Sequence, residues 1–330
     1  MAWRTPPVHY GPWEQMASNI AEGLVDKGIE VTLFATADSI TKAHLAAVVP
    51  VGYEEDKKVD AKVVECMHIS YLMERSGSFD IIHNHFDFLP LTYSRLISTP
   101  MITTIHGFSS PKIIPVYKRY NDINHYVSIS ESDRSPELRY LATVYNGINT
   151  DTFTLKEDPG NDYLLFFGRI HPDKGAWEAI QIAHKSGRQL MMAGIIQDKA
   201  YFDEKIAPHL DDGRVRFVGA AGAEQRDALL GGAYALLHPI SFEEPFGLSV
   251  VEAMLCGTPV VAFARGAMAE LIRDGETGFL VNSVDEAVTR LPMVAGLNRA
   301  GCHRWAKSKF SQQKMVDDYV DLYKRILGDG

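Results

Sequence analysis

The chain has 330 residues, of which 46% are hydrophobic and 10% aromatic, and a formal net charge of −9. That length holds two α/β domains of ordinary size, and the acidic balance argues against nucleic acid and against standing attachment to an anionic membrane. Cys66, Cys256 and Cys302 are scattered and form no CxxC pair, which reads as reduced thiols in a cytoplasmic protein; no apolar run approaches the ~18 residues of a membrane span, so no stable membrane insertion is expected, and the N-terminus lacks the apolar stretch of a signal peptide.

The opening is irregular, with Pro6-Pro7 and Tyr10-Gly11-Pro12. A helix is predicted over residues 13–27, with Met16, Ile20, Leu24 and Val25 on its inner face and Gly28 ending it. A strand follows over 29–34. This is the helix-to-strand half of a βαβ unit whose first strand is missing, which suggests a truncated start. Further strands are predicted over 79–83, 100–105 and 126–130. His83 and His85 have no partner cluster and read as strand-end histidines; no metal site is expected. His106 stands beside Gly107 at the carboxyl end of a strand, where open α/β sheets bind ligands. On residues alone, a core role and a ligand role are equally open to it. Residues 109–120, SSPKIIPVYKRY, read as a solvated loop, with an acceptor-facing loop as the alternative. Ser130-Glu131-Ser132 reads as the cap of a following helix.

The polar stretch 150–162, with Pro159-Gly160, reads as a linker. Strands are then predicted near 163–167, 189–193, 215–218, 234–238, 260–263 and 278–281, with helices between them. Strands this apolar in that alternation make a parallel sheet covered on both faces. The first runs into Gly168-Arg169 and on to Lys174-Gly175, two cations that leave a strand end and open a helix. They suit a diphosphate; a capped surface loop is the plain alternative. The stretch 238–257, HPISFEEPFGLSVVEAMLCG, passes from a strand end through a polar loop into a helix carrying Leu248, Val251 and Leu255. Free N–H groups and the dipole at that helix start favour anions, and Gly247 lets backbone approach a ligand. Glu244 precedes the helix and Glu252 lies on it. The pair can be an acid and base, a grip on hydroxyls of one long ligand, or simply solvated charge. Residues 310–327 form an amphipathic helix with Met315, Tyr319, Leu322, Tyr323, Ile326 and Leu327 on its apolar stripe.

The run Glu-Pro-Phe-Gly-Leu-x-x-x-Glu, with Glu244 and Glu252 spaced E-x7-E, resembles the signature of the GT4 family of retaining glycosyltransferases. So do GTPVVAFARGAMAELIRDGETGFLV (257–281), the Gly-Arg…Lys-Gly around Arg169 and Lys174, and Val144-Tyr145-Asn146-Gly147-Ile148-Asn149. The resemblance is strong over 163–281 and weaker before 150. It implies the GT-B fold: α/β, two Rossmann-like parallel-sheet domains facing across a cleft, with the C-terminal helix crossing back to the first. The expected division is 1–153 for the acceptor-side domain, 154–311 for the nucleotide-sugar domain and 312–330 for the returning helix.

The resemblance also implies roles. His106, Arg169, Lys174 and Glu244 would be catalytic. Gly11, Gly168, Arg169, Lys174, Val218, Glu244, Phe246, Gly247, Leu248 and Glu252 would bind the donor. Arg169 and Lys174 take the diphosphate, Glu252 the ribose, and Glu244 with the Phe246 and Gly247 amides the sugar. Val218 lies near the nucleotide base, and His106 lines the sugar pocket. Gly11 and Glu14 stand where the family has Gly-Gly-x-Glu, but Pro12 removes an N–H donor. Ala269 replaces a proline of the family's Gly-x-x-Pro-Glu pattern. No GxGxxG, P-loop or Asp-x-Asp pair is present.

The expected activity is metal-independent, retaining transfer of a hexose from a nucleotide-diphospho-sugar to a hydroxyl of a small or carbohydrate acceptor. No cofactor is expected. The donor is taken as a UDP-sugar on commonness alone; acceptor and oligomeric state stay open. The alternatives are a nucleotide-sugar-binding protein without transferase activity, on account of a truncated first domain, and a GT-B hydrolase or epimerase.

Overall fold

A computed structural model describes residues 2–8, 11–108 and 110–328; Tyr10 and Ser109, which fall in two of the stretches read above, lie outside them. The chain divides into two compact units, Met1–Ile148 with Gln312–Gly330, and Asn149–Ser311.

The first unit begins with α1 (Pro12–Asp26). Pro12 takes the first helical position, where a missing N–H costs nothing and the fixed φ suits the helix. Met16, Ile20 and Leu24 form the buried face, and Gly28, at φ 78°, turns the chain out of the helix. Two short parallel strands follow, β1 (Thr32–Phe34) and β2 (His44–Ala46). Helix α2 (Ala61–Met73) is capped by Asp60, whose side chain accepts from Val63 N at 3.0 Å. A separate four-stranded parallel sheet runs in the order β3 (Ile82–Asn84), β4 (Met101–Ile105), β5 (Asn124–Ser128), β6 (Tyr140–Thr143). Every residue of β4 is buried, Thr103 and Thr104 included.

Two expectations fail in this unit. Residues 111–119 are not a loop: after one 3₁₀ turn they form α3 (Ile114–Arg119), because Tyr117 has a core to enter and is 1% exposed. No helix follows Ser130. Its Oγ accepts from Asp133 N at 3.2 Å and closes a turn. Pro136 disfavours helical backbone at Ser135, so the chain runs on irregularly into β6.

The second unit alternates strand and helix: β7 (Leu164–Phe167), α4 (Ala176–Ser186), β8 (Leu190–Ala193), the single turn α5 (Lys199–Tyr201), β9 (Val215–Phe217), α6 (Ala223–Gly232) and β10 (Ala235–His238). It continues with α7 (Leu248–Leu255), β11 (Val260–Phe263), α8 (Met268–Leu271), β12 (Gly278–Val281), α9 (Val284–Arg290) and α10 (Arg299–Phe310). All six strands are parallel, in the order β12-β11-β10-β7-β8-β9. From β7 the chain builds outward through β8 and β9, then returns to β7's other side with β10. The strand order therefore reverses between β7 and β10. In open α/β sheets the crevice outside the carboxyl ends at such a point is where ligands bind.

The last helix, α11 (Gln312–Leu327), belongs to the first unit and packs on α1. Gly23 admits it: a Cβ there would lie 2.5 Å from Val316 Cγ2. Tyr319 OH shares a 2.6 Å hydrogen bond with Thr104 Oγ1, and Tyr323 OH one of 2.7 Å with His83 Nδ1. Gln312 N donates to Ile148 O at 2.9 Å. Burying each such aromatic contributes roughly 1.5–3 kcal/mol.

Candidate active site

The residues singled out in the second unit converge on the reversal point between β7 and β10. Gly168, Arg169 and Lys174 follow β7, while Glu244, Phe246, Gly247 and Leu248 follow β10. Three glycines make the close approaches possible. A Cβ on Gly175, at φ 74°, would fall 1.9 Å from Pro239 O, and one on Gly194, at φ 148°, 1.8 Å from Gly168 O. Gly247, at φ 100°, precedes α7 with no side-chain cap; Val250 N bonds back to Gly247 O at 3.1 Å, and the N–H groups of Leu248 and Ser249 stand at the helix start.

The Lys174 ammonium is ion-paired with the Glu244 carboxylate and sits 4.6 Å from the centre of the Phe242 ring. Glu244 is mostly buried. Burial alone raises its pKa, but the His238 imidazole, 3.7 Å away, and the Lys174 charge overcome it and hold the carboxyl at about 2. Glu244 is thus ionised at neutral pH and only accepts hydrogen bonds. Its main chain is fixed too: Ala267 N donates to Glu244 O at 2.9 Å, and Gly266 lies so close that a Cβ would meet Glu244 N and O at 2.3 Å.

Arg169 reaches Asp173 Oδ2 at 3.5 Å and also pairs with Gln197. Glu252, 4% exposed on α7, is gripped through both oxygens by one nitrogen of Arg226, from α6. Arg226 was missed by sequence reasoning, since it falls in a helix between two motifs and nothing near it marks it. Val218 follows β9, its N–H bonded to Met192 O at 2.9 Å. Glu244 and Glu252 therefore have separate partners.

In the first unit Gly11 stands immediately before α1 and its carbonyl accepts from Gln15 N at 2.9 Å. His106 directly follows β4 and stacks on Trp13, with centroids 5.8 Å apart. It belongs to a histidine cluster that spacing along the chain did not reveal. His85 Nδ1 and His106 Nε2 are 3.0 Å apart, and the His83 ring lies 4.0 Å from that of His85. Burial pushes His83 and His106 well below the ordinary histidine range and His85 to about 4, and the crowding lowers His83 and His106 further. All three are neutral at pH 7. Among the described residues no group of three or more potential metal ligands is arranged to hold a metal ion, and no helix is long and apolar enough to cross a membrane.

Comparison with known proteins accounts for this arrangement. The model of glycosyltransferase family 4 matches residues 14–152, and that of group 1 glycosyl transferases continues over 148–291. This chain belongs to the GT4, or group 1, glycosyltransferases. It is a GT-B enzyme that transfers sugar from a nucleotide-sugar. The D-inositol 3-phosphate glycosyltransferase of Mycolicibacterium smegmatis is 25% identical to this GT4 enzyme, over 98% of this chain and 90% of that protein. AviGT4, a glycosyltransferase of avilamycin A biosynthesis, superposes with a TM-score of 0.70 at 25% identity, covering 99% of this chain and 93% of that one. HepE from Anabaena, solved with UDP and glucose, gives 0.74 at 18% identity, with 96% of each chain covered.

Proposed function

We propose that this GT4 enzyme moves a hexose from a UDP-sugar to a hydroxyl of a small or carbohydrate acceptor, with retention at the anomeric carbon and without a metal. The observation that carries the reading is the joining of Lys174 to an ionised Glu244 at the strand-order reversal between β7 and β10. HepE, solved with UDP and glucose, supports the choice of donor.

In the proposed reaction the bond from the sugar C1 to the diphosphate oxygen breaks, and its electron pair leaves with the diphosphate. Arg169 and Lys174 neutralise the charge that develops there. Gly168 lies beside the diphosphate, while Val218 borders the base. Glu252 accepts from the ribose hydroxyls, held in place by Arg226. Glu244 accepts from a sugar hydroxyl, and the N–H groups at Phe246, Gly247 and Leu248 donate. The acceptor oxygen bonds to C1 on the face the diphosphate leaves, and its proton passes to a departing phosphate oxygen. His106, in the first unit, is neutral and serves the sugar as a hydrogen-bond donor, with Gly11 bordering the same ligand.

The test is UDP release from UDP-glucose, UDP-galactose and UDP-N-acetylglucosamine over an acceptor panel, with Arg169→Ala and Glu244→Gln as controls. Turnover by the wild type, reduced ~100-fold or more in both variants, is the expected result. Binding of UDP-sugar without turnover on any acceptor would favour the second reading, donor binding alone. One observation motivates that reading: in the first unit the β1–β2 pair stands apart from the four-stranded sheet. A response to GDP- or ADP-sugars alone would overturn the choice of donor.

A further inference from the structure

His238 closes β10 beside the Lys174–Glu244 pair. Its main chain is fixed in the sheet, opposite Ala262 of β11. The side chain is only 7% exposed, and Nε2 is buried with no hydrogen-bond partner among the described residues. Nε2 faces Glu244 Oε2 from 3.7 Å, beyond hydrogen-bond reach. Lys174 Nζ holds that same oxygen. The carboxylate selects the ring tautomer: a proton on Nε2 turns an N–H dipole toward the anion, whereas a bare Nε2 would set a lone pair against it. Oε2 thus has one cation bonded to it and a second donor standing off. Buried donors are normally satisfied, and leaving one unmade is costly. The two loops are not free to close the distance: Ser241 N donates to Asp173 O at 2.9 Å, and Gly175 lies against Pro239 O. Side-chain rotation alone can bring Oε2 and Nε2 together, and about 1 Å is needed.

We propose, on the reading that Lys174 meets phosphate and Glu244 the sugar, that His238 is a positioning residue: it takes Glu244 over from Lys174 when the donor binds. As the ammonium turns to the diphosphate, Oε2 loses its partner on a side chain only 13% exposed. A buried carboxylate without a partner is costly, so with no replacement Glu244 would hold Lys174 back. His238 Nε2–H is the replacement. Its hydrogen bond forms as that of Lys174 breaks, no proton changes hands, and the carboxylate stays ionised to accept from a sugar hydroxyl. The imidazole is idle in the unliganded protein and engaged in the bound one, which accounts for a buried donor left unpaired. A side chain needed only to fill the core would be apolar there, since an unmade N–H bond destabilises.

The test compares the wild type with His238→Leu, His238→Gln and His238→Asn by calorimetric titration with UDP, GDP and ADP at pH 7. The amide nitrogen of glutamine falls near the place of Nε2 and that of asparagine near Nδ1, so only the first keeps a donor aimed at Glu244. The leucine variant should bind the wild type's preferred diphosphate at least ~10-fold more weakly. Glutamine should recover most of that loss and asparagine little. Urea unfolding of the unliganded proteins is the second measurement. With Lys174 in place, His238→Leu should lower the midpoint only slightly. In Lys174→Met, where His238 remains as the group facing Glu244, the same change should lower it markedly more. Equal diphosphate affinity in all four proteins, equal losses with glutamine and asparagine, or equal midpoint shifts in the two backgrounds would each overturn the proposal and leave the donor reading standing. A wild type that binds none of the three diphosphates removes the donor reading, and the role of His238 with it.

Discussion

Lys174 and Glu244, 70 positions apart in sequence, are ion-paired where β7 and β10 end side by side, and each side chain is no more than 15% exposed. In the proposed reaction Lys174 meets phosphate oxygens and Glu244 sugar hydroxyls, so this one contact would pre-position two parts of a donor. Removing the cation should be felt at both. Lys174→Met is expected to lower kcat/KM by ~100-fold or more and to weaken UDP-sugar binding, as read by steady-state kinetics and calorimetry.

The same pair makes an acid-stability prediction. The folded-state pKa of Glu244 is depressed from 4.5 to about 2, so its contribution to stability is fully present above pH 4.5. It is lost as pH falls from 4.5 toward 2, by roughly 3 kcal/mol at the limit. In Lys174→Met the folded-state pKa of Glu244 rises, so less stability should be lost between pH 4.5 and 2. Urea midpoints measured between pH 3 and 7 for the two proteins check it; parallel curves would show that Lys174 does not hold the carboxyl down.

The histidines of the first unit titrate with the same sense for a different cause. Burial depresses His85 from 6.5 to about 4, with His83 and His106 further below the ordinary range. The unfolded chain therefore binds more protons below pH 6.5, and stability falls as pH drops from 6.5 through 4. His85→Asn should flatten that slope, by up to roughly 1.4 kcal/mol per pH unit. Unfolding followed by tryptophan fluorescence across this range is the measurement. Activity between pH 7 and 8.5 should show no titration belonging to His106.

Arg226→Ala leaves the Glu252 carboxylate buried with its cation gone. Arg226 is itself about one-third exposed, so the expected cost, ~1–2 kcal/mol, is below that of breaking a fully buried pair. UDP affinity should fall as well, while Arg226→Lys recovers most of the stability and little of the affinity, since lysine lacks the planar fork. Denaturant titration and calorimetry separate the two effects.

Gly175→Ala puts a Cβ 1.9 Å from Pro239 O on a backbone at φ 74°. The loop after β7 must then move away from the loop after β10. The expected destabilisation is ~2 kcal/mol or more, together with loss of UDP binding. An alanine protein with unchanged melting temperature and affinity would show that the two loops do not depend on this approach.

Much of the second unit could be read from residues alone. Runs such as Leu164–Phe167 and Ala235–His238 are continuous, apolar and bounded by glycine or polar turns, and strands buried on both faces must look like that. Arg169, Lys174 and Glu244 stood out because charges directly follow such runs. Three features were less legible. β2, three residues long, offers no periodicity, and α2 alternates apolar and polar residues without a clean stripe. The residues 111–119 looked loop-like because two prolines hide a short helix whose one deeply buried side chain is Tyr117. The partners of the site residues, Arg226 for Glu252 and His85 for His106, are set by tertiary packing, which no local pattern encodes.

The hydrogen bond from Gln312 N to Ile148 O also has an engineering consequence. It brings the two points where the backbone leaves and re-enters the first unit to within one bond of each other, so Asn149–Ser311 is a closed excursion from an otherwise continuous body. Joining Ile148 to Gln312 by a short glycine bridge should yield the first unit as a stand-alone polypeptide. The excised segment 149–311, with its full six-stranded sheet, should fold independently as a portable nucleotide-recognition module onto which other acceptor scaffolds can be spliced.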